Sequence, residues 1–113
     1  MMTIETQEDG GLTIVRLAGS MDGGGKAEWA DAISKLLDRP GARKIIVDLS
    51  AVDFLGSAAL GDLVRLTALA NSQGGRIALA RLSPFVEGVL KTTRLNKFFD
   101  IYDDLAAAKA ALQ

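Results

Sequence analysis

Apolar and polar positions recur along this chain with two different periods, and the switches between them mark its elements. Thr3 to Gln7 alternates weakly, as a first strand would, and Glu8-Asp9-Gly10-Gly11 is a turn signal of the kind that joins antiparallel strands. Leu12 to Ala18 is a stronger strand, with Leu12, Ile14 and Arg16 on one face and Thr13, Val15 and Leu17 on the other. Ile45-Ile46-Val47, closed by Asp48 and Leu49, is an unbroken apolar run rich in β-branched residues. Such a run fits a strand covered on both faces of a mainly parallel sheet. Arg76 to Arg81 is a further strand, in which Ile77 and Leu79 share one face and the small Ala78 and Ala80 leave room on the other. Phe98 to Tyr102 reads as the last.

Between these runs the period lengthens to that of a helix. From Lys26 to Leu37, Ala27, Ala30, Ile33, Ser34 and Leu37 recur at three and four, and Trp29 beside them reads as partly buried core. Asp38-Arg39-Pro40-Gly41 stops this helix. A second helix runs from about Ser57 to Asn71, with Leu60, Leu63, Val64, Thr67 and Ala70 as its inward stripe. Ala58, Asp62, Leu66 and Leu69 fall near a line opposite that stripe, with Arg65 beside them, and Leu69 points almost directly away from the core. Outward leucines among small residues and charges suit a docking surface, although scattered surface leucines are ordinary. Gly61 inside this helix costs about 1 kcal/mol against alanine, which a close backbone approach would explain. Ser83-Pro84 opens a third helix, ending near Arg94, with Phe85, Val86, Val89 and Leu90 as its buried side. Asp103 caps a fourth, Asp104 to Leu112.

The order is therefore β-β-α-β-α-β-α-β-α. It predicts one α/β domain over residues 1–113, with four helices on a mainly parallel sheet of about five strands that starts with an antiparallel hairpin. The 113 residues suit one domain, and with 49% hydrophobic residues they supply a core.

Composition narrows the chemistry. Thirteen basic and fourteen acidic residues give a net charge of −1, with no basic excess to hold nucleic acid. There is no cysteine, so no disulfide or thiol chemistry, and no histidine, the commonest general base and metal ligand. No signal-peptide pattern and no apolar stretch of the ~20 residues a membrane helix needs is evident, so the expected setting is the cytoplasm. Gly23-Gly24-Gly25-Lys26 lacks the Walker A spacing and its Ser/Thr, so nucleotide binding there is set aside. Asp48 and Asp53 are weak evidence for a cation site; Asp48 reads better as the anchor of the loop after its strand. Ser57 has no histidine to activate it. An enzyme, a metal and a cofactor are therefore not expected.

Ser57 is the residue on which function turns. It stands just before a helical pattern, where an N-cap is expected. Unpaired backbone N–H groups and the positive end of the helix dipole make that a favourable place for an anion, and so for a phosphate on the serine. A plain N-cap, worth typically ~1 kcal/mol, is the competing role.

Val47-Asp48-Leu49-Ser50, Phe54-Leu55-Gly56-Ser57 and Leu60-Gly61 together resemble the STAS domain family, whose best-known members are bacterial anti-sigma factor antagonists. Leu17-Ala18-Gly19-Ser20-Met21-Asp22 is similar to a second marker of that family. The resemblance implies that Ser57 is the serine phosphorylated by the partner, an anti-sigma factor that is a GHKL-type serine kinase. It also implies that Asp22 lies on the same side of the domain and contacts that kinase; a turn or cap role is the alternative. Gly56 stands in place of the motif's aspartate, and Ala58 and Ala59 replace its Ser/Thr and Gly. The expected partner surface is Asp22, Gly56, Ser57, Ala58, Asp62, Arg65, Leu66 and Leu69. The departures at 56, 58 and 59 favour the second reading, an unphosphorylated scaffold bound to a transporter ATPase or a signalling assembly.

Overall fold

Gly10 and Gly11 take positive φ, 59° and 86°, the two left-handed positions of a type I′ hairpin turn. They join β1 (Met2–Asp9) to β2 (Leu12–Met21), paired antiparallel in one unbroken register from Met2↔Gly19 to Asp9↔Leu12. The computed structural model describes residues 2–22, 27–39 and 43–113. Within them β3 (Lys44–Leu55), β4 (Arg76–Ala80) and β5 (Asp100–Tyr102) add to β2 in parallel, and the order across the sheet is the order along the chain.

That sequential order decides where the helices go. A crossover between parallel strands is almost always right-handed, and all three crossovers here step in the same direction. α1 (Glu28–Leu37), α2 (Ser57–Ser72) and α3 (Pro84–Thr92) must then share one face of the sheet. One cluster indeed joins Trp29, Ile33, Leu63, Leu66, Val86 and Leu90 of these helices to Val15, Leu17, Ile45, Val47, Ile77 and Leu79 of the strands. The other face falls to α4 (Leu105–Leu112), which packs Ala108 and Leu112 on Leu12, Ile14, Ile46, Ala78 and Ala80. The small alanines of β4 are the room that α4 occupies. Ile45, Ile46, Val47 and Leu49 are fully covered, as a strand buried on both faces requires.

Several boundaries differ from those the pattern predicts. β3 runs on to Leu55 rather than stopping at Leu49, because β2 runs on beside it to the pair Met21↔Leu55, through two register shifts. β4 stops at the level of Asp48, and Ser83 takes its place. The Ser83 N–H donates to the Leu49 carbonyl at 3.3 Å and its hydroxyl to the Val52 carbonyl at 2.6 Å. The third helix ends at Thr92, and Arg94 then turns left-handed at φ 62° into a 3₁₀ turn, Leu95–Lys97. Phe98 and Phe99 follow that turn edge to face at 5.0 Å, so the last strand starts only at Asp100. Asp104, not Asp103, caps α4, its carboxylate accepting from the Ala107 N–H at 2.7 Å. The glycine run Gly23-Gly24-Gly25-Lys26 and the stop at Pro40-Gly41 lie outside the described residues. No helix among the described residues is long and apolar enough to cross a membrane.

Candidate functional site

The paired ends of β2 and β3 build the site. The Gly56 N–H donates to the Met21 carbonyl at 3.2 Å, so Asp22 and Gly56 leave the sheet side by side. The Asp22 carbonyl accepts a hydrogen bond from the indole N–H of buried Trp29, which fixes its backbone and leaves its carboxylate exposed. The two sequence segments that carry the family resemblance thus meet at one edge, with Asp22 near Ser57.

Ser57 is not the N-cap. Gly56 holds that position, extended at ψ 162°, and Ser57 is the first helical residue. From there its hydroxyl is one residue past the place from which a cap reaches back to the helix N–H groups. It is exposed, and among the described residues it forms no hydrogen bond. The first intrahelical bond runs from the Leu60 N–H to the Gly56 carbonyl at 2.9 Å, so the N–H groups of Ser57, Ala58 and Ala59 have no intrahelical acceptor. α2 also has no acidic residue in its first turn. The other helices are compensated at that end: α1 has Glu28 and Asp31, α3 has Ser83 and Glu87, and α4 has Asp104. The positive end of the α2 dipole is therefore left open beside Ser57.

The outward line of α2 is not the one the wheel gives. Leu66 is fully buried, and Leu69 is half-buried against the same core, so neither faces a partner as expected. α2 packs against α1 as well as the sheet, so its buried arc is wider than one stripe and takes in Ala59, Leu60, Leu63, Leu66, Thr67 and Ala70. Asp62 is mostly covered, with Arg65 at 3.6 Å from Oδ1 and no hydrogen bond to Oδ2 among the described residues. The line that does face solvent is Ser57, Ala58, Gly61, Arg65 and Ala68. Gly61 has open space where a Cβ would stand, so no close backbone approach explains it.

An aromatic pair extends this surface. Phe54 and Phe85 lie 5.7 Å apart, centroid to centroid, and are 45% and 43% exposed. Phe85 does not join the core as its helix pattern suggests, because Val86 and Leu90 fill the inward face of α3. A Cβ at Gly56 would stand 3.3 Å from the Phe54 ring. Glycine at that position is thus matched to the phenylalanine two residues earlier. Phe54 lies past Leu49, where the sequence pattern closes its strand, so no periodicity marks it. Asp48 does anchor its strand end, accepting from the Ser50 N–H at 3.0 Å, and it is committed to two arginines. Among the described residues no group of three or more acidic, histidine or cysteine side chains gathers as a metal site would need.

The family model for the STAS domain matches residues 3–108. The chain is 28% identical over 112 residues to the anti-sigma F factor antagonist of Paenibacillus polymyxa, a match covering 99% of this chain and 96% of that one. It is 31% identical over 93 residues to a STAS-domain containing protein of Pseudomonas aeruginosa, covering 82% and 90%. An anti-sigma factor antagonist from Mycobacterium paratuberculosis, solved by crystallography, superposes with a TM-score of 0.85 at 25% identity, over 99% of this chain and 94% of that one.

Proposed function

The chain belongs to the STAS domain family, of the anti-sigma factor antagonist-like kind, and on that footing we propose that it docks an anti-sigma factor through the Ser57 end of α2 and is switched by phosphorylation of that serine. The observation that carries the proposal is the exposed, unbonded Ser57 hydroxyl at a helix end with no side-chain cap and no acidic residue in its first turn. In the unmodified state the partner lies on Ser57, Ala58, Gly61 and Arg65, with Asp22 and the Phe54–Phe85 pair at the margin. A GHKL-type kinase partner would transfer the γ-phosphoryl group of ATP to Oγ, with ADP leaving and the hydroxyl proton passing to the kinase's base. The modified serine carries about −1.5 to −2 charge. Three free N–H groups and the open dipole accommodate that charge within this chain. A close-packed interface over small side chains does not, so the partner is released without any change of fold.

Incubation with an anti-sigma kinase from the same genome and ATP tests this. One phosphate is expected on the peptide containing Ser57, and none in Ser57→Ala. Full phosphorylation of Ser57→Ala would move the site elsewhere.

One observation favours a second reading. Gly56 leaves the motif without its carboxylate, and a side chain there would require the Phe54 ring to give by a few tenths of an ångström. The same surface would then serve as an unmodified docking face for a transporter ATPase or a signalling assembly. Co-purification of an ATPase subunit instead of a kinase, with no mass shift at Ser57, distinguishes this case.

A further inference from the structure

One row of side chains breaks the pattern of the α4 face. The strand register pairs Glu5 with Arg16, Arg16 with Asp48, and Asp48 with Ala80. The next row, Ile14, Ile46 and Ala78, is apolar and lies in the cluster that α4 covers. α4 has only eight residues, about 12 Å of helix. Past the charged row comes Ala18 paired with Ala51. What remains there is a cleft of about 210 Å³, floored by Ala18 and Ala51 and walled by Arg16, Asp48, Ser50 and Arg81.

The hydrogen-bond donors of this wall are only partly used. Asp48 is buried, and its Oδ1 is taken by the Ser50 N–H. Both guanidiniums turn to the other oxygen, Oδ2, Arg81 at 3.4 Å and Arg16 at 3.9 Å. Tight guanidinium–carboxylate contacts run at about 2.7–2.9 Å, so the two guanidiniums share one oxygen loosely, while Glu5 brings a second carboxylate to the same cleft. Each guanidinium offers five N–H donors. Arg16 directs one to Gln7 Oε1 at 2.8 Å. Arg81 is held over the cleft by its backbone, which sits at φ 58°, a region that long L side chains rarely occupy. The Tyr102 carbonyl fixes its N–H at 3.0 Å. Glu5 lines the cleft and, among the described residues, makes no ion pair with Arg16. A dianion would therefore meet both Glu5 and Asp48, whereas a monovalent carboxylate meets less repulsion and has the alanine floor for its organic part. A cavity of about 150 Å³ holds benzene, so the cleft has room for an acid of benzoate's size.

We propose that this cleft binds a small monovalent organic carboxylate, with its oxygens held by Arg16 and Arg81. The site is on the sheet face opposite α2 and owes nothing to the role of Ser57. The test is a ¹⁵N–¹H NMR titration of the full chain with sodium benzoate, and separately with inorganic phosphate at matched ionic strength. Benzoate should produce saturable shifts at the Ser50, Ala51 and Arg81 amides and at the Arg16 side chain, with phosphate binding more weakly. Arg81→Gly removes the guanidinium while suiting the positive φ, so it folds, and it should lower benzoate affinity about tenfold or more. Ser57→Ala should leave that affinity unchanged. Shifts that do not saturate, or an Arg81→Gly affinity equal to that of the parent, overturn the site. Phosphate binding more tightly than benzoate overturns the carboxylate assignment.

Discussion

Ser83 and Ser57 both stand where a helix leaves the sheet, yet Ser83 is buried with its hydroxyl used twice, whereas Ser57 is exposed and bonded to nothing among the described residues. Ser83 Oγ donates to the Val52 carbonyl and accepts from the Val86 N–H at 3.2 Å. It caps α3 and also ties that helix to the part of β3 that β4 no longer reaches. One residue of offset separates the two cases. Ser83 is the cap of its helix; Ser57 lies one position inside its own, behind Gly56. A hydroxyl already satisfied by its own chain contributes stability, and one left unsatisfied at an open helix dipole is available to another molecule.

Substitutions can break or sharpen this contrast. The largest effect is expected at Leu66, on the covered side of the helix that Ser57 opens. Leu66→Ala should lower unfolding free energy by about 3 kcal/mol in urea titration. Unchanged stability with lost partner binding would return Leu66 to the docking face. Ser83→Ala should cost about 2 kcal/mol, since it removes a cap and leaves a buried carbonyl without its donor. Gly61→Ala should stabilise by about 1 kcal/mol, because the added methyl meets open space in a helix. A loss of stability there would mean that the position is packed after all. Ser57→Ala should stay within about 0.5 kcal/mol of the parent, as surface changes do, and a drop like that of Ser83→Ala would erase the difference between the two serines.

The fold was largely readable in the sequence because its signals are local and redundant. The diglycine turn, the unbroken run Ile45–Val47, the Ser83-Pro84 start and the alanines of β4 each have one structural solution. The proposed docking face was only half readable. Ser57, Ala58 and Arg65 are exposed and Asp22 leaves the sheet next to Gly56, but Leu66 and Leu69 turn inward. A helical wheel assigns one inward direction, and α2 has apolar residues on much of its circumference. Only the presence of α1 alongside it decides which leucines are covered. Ser57 was placed one residue early because Gly56 is itself an acceptable N-cap. Phe85 was misjudged for a related reason: it is apolar within a periodic segment, and its contact with Phe54 outside the core joins distant residues.

The most direct measurement is made on Ser57→Asp, with stability and anti-sigma factor affinity determined on the same sample. A carboxylate in the first turn suits the helix dipole, so stability should hold or rise by up to about 0.5 kcal/mol. Affinity should fall by a hundredfold or more, about 3 kcal/mol. Affinity equal to that of the parent, in a protein whose stability has fallen, would contradict the account and leave Ser57 as a helix-end residue alone.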